Sequence, residues 1–159
     1  MKPESVVTLP GTEPVWTMGP GRSASLKLQN TQTNESVMAF EEVTPAGVET
    51  PLHLHRDSDE IMYVLSGEYL FNVGERTESG GAGSVVFMPR GVGHAWRCVG
   101  PEAGRALFLY TPGGAGRVFE EASKLQILAP TSPDEVDPQL EELFERFGWE
   151  VLGPPPFAT

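Results

Sequence analysis

The sequence is short of the residues that mark an exported or cross-linked chain. Cys98 is the single cysteine, so no internal disulfide can form and nothing points to an oxidising compartment. Histidine is nearly as scarce, with three in 159 residues. Positive charge is low as well: 11 lysines and arginines stand against 22 acids, a formal net charge of −11. A chain so acidic repels phosphate backbones and anionic bilayers, and neither nucleic acid nor membrane is expected as a partner. No apolar run is long enough to span a bilayer, and the opening MKPESVVTLPGTEPVW contains no apolar core of signal-peptide length. A cytoplasmic protein is therefore the expectation. Internal repeats, a phosphate-cradling glycine loop and a Gly-x-Ser-x-Gly elbow are all missing, and no histidine is left over to activate the lone thiol.

Glycine and proline, in contrast, are abundant at 18 and 15. With 39% apolar residues and a length near that of one domain, this composition predicts a single all-β unit of short strands joined by many turns. The pattern divides the chain into an N-terminal arm over 1–24, a barrel over 25–112 and a helical extension over 113–159 packed on it. Within the barrel, SLKLQ at 25–29 alternates as an edge strand, and VMAFEEV at 37–43 follows with Met38 and Phe40 on one face. Ile61 to Leu65 reads as a strand with Tyr69 to Val73 as its hairpin partner, and 74–83 reads as a loop centred on Gly80 and Gly81. Val85 to Met88 resembles a buried strand, His94 to Cys98 places Trp96 on the face of His94, and Arg105 to Thr111 sets Phe108 and Tyr110 opposite Leu107 and Leu109. Beyond Pro112 the period becomes helical. GRVFEEASKL reads as a short helix, Ser132 to Glu135 as a capping box, and Leu140, Leu143, Phe144 and Phe147 as the apolar stripe of a helix restarted at Asp137-Pro138 and stopped by Gly148. The Pro-rich tail from Gly153 is expected to lie at the periphery.

All three histidines fall within one stretch, 47–94. Its first half runs Gly47, five residues, His53, one residue, His55, four residues, Glu60, six residues, Gly67; its second runs Gly83, five residues, Pro89, one residue, Gly91, two residues, His94. Residues two apart on a strand share a face, so an extended Leu52–His55 aims both imidazoles into one space. His53, His55, Glu60 and His94 together form a ligand set for one divalent transition metal ion: Fe, Mn, Ni, Co, Cu and Zn all suit three imidazoles and a carboxylate. Four protein ligands leave a five- or six-coordinate ion with open positions, as a catalytic centre requires. Glu60 is the candidate catalytic residue, able to ligate or to take a proton from a bound hydroxyl. Met38, Phe40, Met62, Phe71, Phe87, Trp96 and Phe108 are the candidate walls of an apolar substrate pocket.

The two halves resemble the paired motifs of the cupin superfamily, with every position of both filled except the last, where Cys98 stands in place of the usual asparagine. The resemblance implies an antiparallel jelly-roll barrel, or double-stranded β-helix. The Pro112-Gly113-Gly114 turn and the acidic C-terminal segment add a likeness to quercetin dioxygenase-like cupins. By that likeness the protein would be a metal-dependent dioxygenase acting on a phenolic or enolic small molecule. A non-catalytic metal or small-molecule binding cupin, and a cupin isomerase or decarboxylase, are the other readings. Exposed sheet edges and the N-terminal arm favour a homodimer.

Overall fold

The computed structural model describes residues 2–128 and 137–158. The sequence-expected capping box at Ser132 to Glu135 lies outside them. The described chain forms eleven strands: β1 (Val15–Gly19), β2 (Arg22–Leu28), β3 (Met38–Thr44), β4 (Leu52–His55), β5 (Asp59–Ser66), β6 (Tyr69–Val73), β7 (Arg76–Gly80), β8 (Val85–Met88), β9 (His94–Cys98), β10 (Gly104–Thr111) and β11 (Trp149–Gly153). Helix α1 (Asn30–Thr33) is a single turn between β2 and β3, while α2 (Arg117–Lys124) and α3 (Pro138–Arg146) follow β10. A six-stranded sheet in the order β1-β2-β3-β10-β5-β8 faces a five-stranded sheet in the order β11-β4-β9-β6-β7. Every strand pair is antiparallel. This is the jelly roll, and the core is the space between its sheets.

Alternation decides what fills that space. On β5, Glu60, Met62 and Val64 are buried while Ile61 and Tyr63 turn outward, and on β10 Gly104, Ala106, Phe108 and Tyr110 point inward. Phe40 and Phe108 lie opposite each other in the β3–β10 register, and their rings stack at 5.3 Å. Each such buried ring contributes roughly 2–3 kcal/mol of burial free energy, so the β3–β10–β5 centre anchors the barrel.

Several elements depart from the sequence reading: β5 and β6, expected to pair as a hairpin, lie in different sheets, and β2, expected at an edge, runs between β1 and β3. The N-terminal arm contains one short strand, β1, which pairs with β2 at the edge of the larger sheet. Residues 76–80, expected as loop, form β7, pairing with β6 from Tyr69↔Gly80 to Val73↔Arg76. Its residues are almost all exposed polar ones, so no buried face marks it in the sequence; its partner's register makes it a strand. The C-terminal extension is not purely helical either. After α3, capped by the Asp137 carboxylate accepting from Gln139 N–H at 2.8 Å, Gly148 takes φ +77° and releases the chain into β11 along the edge of β4.

Gly104 packs directly against the ring of Tyr69. A methyl group there would sit 2.6 Å from Cζ of Tyr69, whose ring is fully buried. Gly104→Ala is expected to destabilise the protein by about 1–3 kcal/mol, because a rigid ring cannot move aside as a flexible chain end can. Thermal or urea unfolding compared with wild type checks this, and an unchanged midpoint would contradict it.

Candidate metal centre

The bend between β4 and β5 carries the chain from one sheet to the other, and this makes the centre possible. His53 and His55 on β4 and His94 on β9 belong to the five-stranded sheet, while Glu60 on β5 belongs to the six-stranded one. All four are buried, with exposures of 1–4%. One donor atom from each lies within 4.8 Å of all the others. His53 and His94 are register partners across β4 and β9, their rings 4.5 Å apart. Thus the structure brings together the four side chains proposed from the spacing.

Hydrogen bonds orient the rings. Nδ1 of His53 lies 2.8 Å from the Pro51 carbonyl, and Nδ1 of His94 lies 2.9 Å from the Val92 carbonyl. A carbonyl only accepts, so both Nδ1 atoms carry the proton and a neutral ring then presents a bare Nε2 lone pair to the cluster. Glu60 Oε2 sits 2.9 Å from His55 Nε2 and 3.1 Å from His94 Nε2. With Nδ1 of His94 already protonated, that second contact sets two acceptors face to face unless a proton or a cation lies between them. Nδ1 of His55 is buried with no partner among the described residues. A cluster of convergent acceptors with an orphaned ring nitrogen fits a divalent ion better than it fits self-contained hydrogen bonding.

Electrostatics agree. Burial alone would raise the Glu60 carboxyl, but hydrogen bonds from His55 and His94 outweigh it and hold the group ionised, well below the usual carboxylate range. Burial and the neighbouring imidazoles push His53 down to about 3, so it is neutral and ready to ligate. Burial also lowers His55. For His94 burial acts the same way but loses to the Glu60 carboxylate, which raises it above the usual imidazole value.

Two features outside the four donors fix their positions. Arg90, in the turn after Pro89, donates from Nε and NH2 to the two oxygens of Asp59 at 3.1 and 2.9 Å, and Gly91 N–H donates to the His55 carbonyl at 2.8 Å. The second motif is thereby tied to both ends of the bend between β4 and β5. The other is Trp149 at the start of β11, which stacks on His53 at 5.3 Å and 11° and meets His55 edge-on at 4.3 Å. Its indole N–H donates to the Ala115 carbonyl at 2.8 Å, and its other face is covered by Phe144 of α3 at 5.2 Å. The sequence reading missed Trp149; the Trp-Glu-Val-Leu run after a helix-stopping glycine was the available signal.

A cavity of about 150 Å³ opens beside the cluster, lined by His53 and Glu60 and by Phe40, Trp96 and Phe108 of the expected walls. Phe119, Phe144 and Trp149 close it from the C-terminal extension. Met38 and Met62 are wholly buried in the core behind it, and Phe71 is buried against Tyr69 and borders a different hollow. Phe87 needs correction: it pairs with the outward-facing Ile61, is 56% exposed, and belongs to no wall of this cavity. The apolar run at Val85 to Met88 conceals a strand whose inward residues are Val86 and Met88.

Residues 39–110 match the family described as Cupin domain. The barrel has the cupin fold. An RmlC-like cupin from Shewanella frigidimarina is 24% identical with a TM-score of 0.60, the match covering 71% of this chain and 96% of that one. KdgF from a Halomonas species is 16% identical, also at TM-score 0.60, covering 69% and 94%. A protein described as a predicted oxalate decarboxylase, from Thermotoga maritima, is 23% identical at TM-score 0.54, covering 57% and 79%. At these identities the likeness establishes fold alone. No curated protein matches the sequence. No helix of the described residues is long and apolar enough to cross a membrane.

The cupin barrel is expected to take up one divalent ion per chain. His55→Ala or His94→Ala should remove most of it while the far-ultraviolet circular dichroism stays that of a folded β-protein. Trp149→Ala, which leaves all four donors, should weaken loading by roughly 10–100-fold. Metal analysis after dialysis checks each. Loading should also fall as pH drops into the range where His94 takes up a proton, a range the Glu60 carboxylate raises above that of an ordinary imidazole, because protons then compete for its Nε2; calorimetric titration over a pH series would show it, and a flat profile would contradict it.

Proposed function

We propose that the protein is a metal-dependent oxidoreductase of the dioxygenase type, acting on a phenolic or enolic small molecule, with His53, His55, Glu60 and His94 as ligands. The observation that carries this reading is the junction of a buried three-histidine, one-carboxylate cluster with a small cavity walled by aromatic rings. A bound transition metal would supply a Lewis acid for a substrate hydroxyl and an open position for dioxygen. The chain's own residues do the rest. Glu60, ionised and buried, accepts the hydroxyl proton, which leaves the substrate as an electron-rich anion. Carbonyls of Pro51 and Val92 hold the His53 and His94 rings in their ligating orientation. Trp149, Phe119 and Phe144 keep water from the reacting anion. Tyr110, whose ring meets His55 edge-on at 5.3 Å, stays protonated because burial and the Glu60 charge push its hydroxyl far up, so it enters the cavity as a neutral donor.

A small pocket walled largely by aromatic rings suits a planar phenol or enol better than a sugar phosphate, whose charge would need several cations. Glu60→Gln keeps size and one ligating oxygen but removes the base, so oxygen consumption at equal metal content should fall by about two orders of magnitude. An oxygen electrode with catechols and enols as candidate substrates measures it. Equal rates would reduce Glu60 to a ligand. Metal-loaded wild type that consumes no oxygen with any candidate would instead favour a binding protein, or a cupin isomerase or decarboxylase.

A further inference from the structure

The same cavity holds a cation that the metal chemistry leaves unused. Arg22, at the start of β2, is the single positively charged side chain among the described residues that line it. Its Nε donates to Glu42 Oε1 at 2.6 Å, and the Thr44 hydroxyl donates to that same oxygen at 3.1 Å. Glu42 is buried at 2% exposure, whereas the Arg22 side chain keeps 23%. No other hydrogen bond is made by the guanidinium among the described residues, and its carbon stands 5.7 Å from the Trp96 ring. Glu42 thus orients a fork whose terminal nitrogens remain free to meet something else.

Sheet register fixes where this fork lies relative to the ligands. Glu60, Tyr110 and Met38 form one row across β5, β10 and β3, and Met62, Phe108 and Phe40 form the next inward row. Glu42 is four residues along β3 from Met38, about 14 Å at a rise of ~3.4 Å per residue. The cavity therefore has a ligand cluster towards one end, stacked rings between, and a cation at the other.

We propose that Arg22 is a specificity-determining residue for a carboxylate, so that the substrate is a small phenolic or enolic acid. Its hydroxyl end faces the histidine and glutamate cluster, its planar part lies against Phe40, Phe108 and Trp96, and its carboxylate accepts from the terminal nitrogens of Arg22. This rests on the function proposed above and narrows it. A planar monoanion matches a guanidinium edge through two parallel hydrogen bonds. A phosphate dianion does not, because Glu42 already offsets much of the one positive charge. With a chain net charge of −11, any preference for an acid must come from a local cation, since the overall field opposes it.

The test loads the protein with zinc, which is redox-inert, and compares 3,4-dihydroxyphenylacetate with 4-methylcatechol, its counterpart without the carboxylate. Calorimetry and quenching of tryptophan fluorescence, to which Trp96 and Trp149 contribute from the cavity wall, give the affinities. Wild type should bind the acid at least about tenfold more tightly, the worth of one charge-assisted contact. Arg22→Gln should abolish that preference while leaving 4-methylcatechol nearly unchanged. Arg22→Gln strands the buried Glu42, so the Arg22→Gln, Glu42→Gln double variant repeats the comparison with the charge removed from both. The wild-type comparison needs no variant at all. Equal affinities on wild type, or a preference that survives in the variants, overturn the role of Arg22 and leave the metal-anchored reading standing. If protein shown to hold one zinc per chain binds neither compound, the proposed function falls, and this inference with it.

Discussion

A carboxylate carried into the interior of a barrel sets the terms for everything around it. Glu60 is ionised at 3% exposure, and a buried charge is tolerated only where partners replace the water it has lost. Those partners come from the opposite sheet: Nε2 of His55 and of His94 both reach one oxygen of Glu60. The contact between the sheets is thus partly polar at one end and apolar in the middle, where Trp96 of the five-stranded sheet packs against Phe108 of the other at 5.6 Å. Stability resides in the second region and chemistry in the first. The division explains how the polar end can trade a proton for a metal ion without the barrel losing its core.

The polar end is held by long-range ties more than by local structure. β4 is only four residues long and touches β9 in register at His53↔His94. Alone it would be a weak support for two ligands. The Asp59–Arg90 clamp and the Gly91 to His55 hydrogen bond join the two motif turns, while β11 lies along the outer edge of β4 from Trp149↔His55 to Gly153↔Leu52. Ligand geometry depends on such supports as much as on ligand identity.

What was legible in the sequence follows from the range over which a pattern acts. His53 and His55 share a face because a strand has period two, and Glu60, Met62 and Val64 obey the same rule within β5. The bend between them breaks the count, so the meeting of Glu60 with the histidines rested on motif resemblance and not on parity. Phe87 went astray because a wholly apolar strand shows no alternation to read, and its orientation comes from its register with β5. β7 and β11 were hidden for a related reason: their partners, not their own composition, make them strands. Arg22 stood unremarked at the start of a strand, since only the folded sheet sets it over the cavity.

The seating of β11 on β4 also bears on the order of assembly. It joins segments separated by most of the chain, and such contacts form late because a long loop must close before they repay its entropy. The β4–β9, β5–β10 and β3–β10 contacts span shorter stretches. On that ordering Trp149 would reach the imidazoles only after the barrel strands have gathered them. The C-terminal strand would then act as a latch laid last over the proposed metal site, favouring retention of a bound ion over exchange.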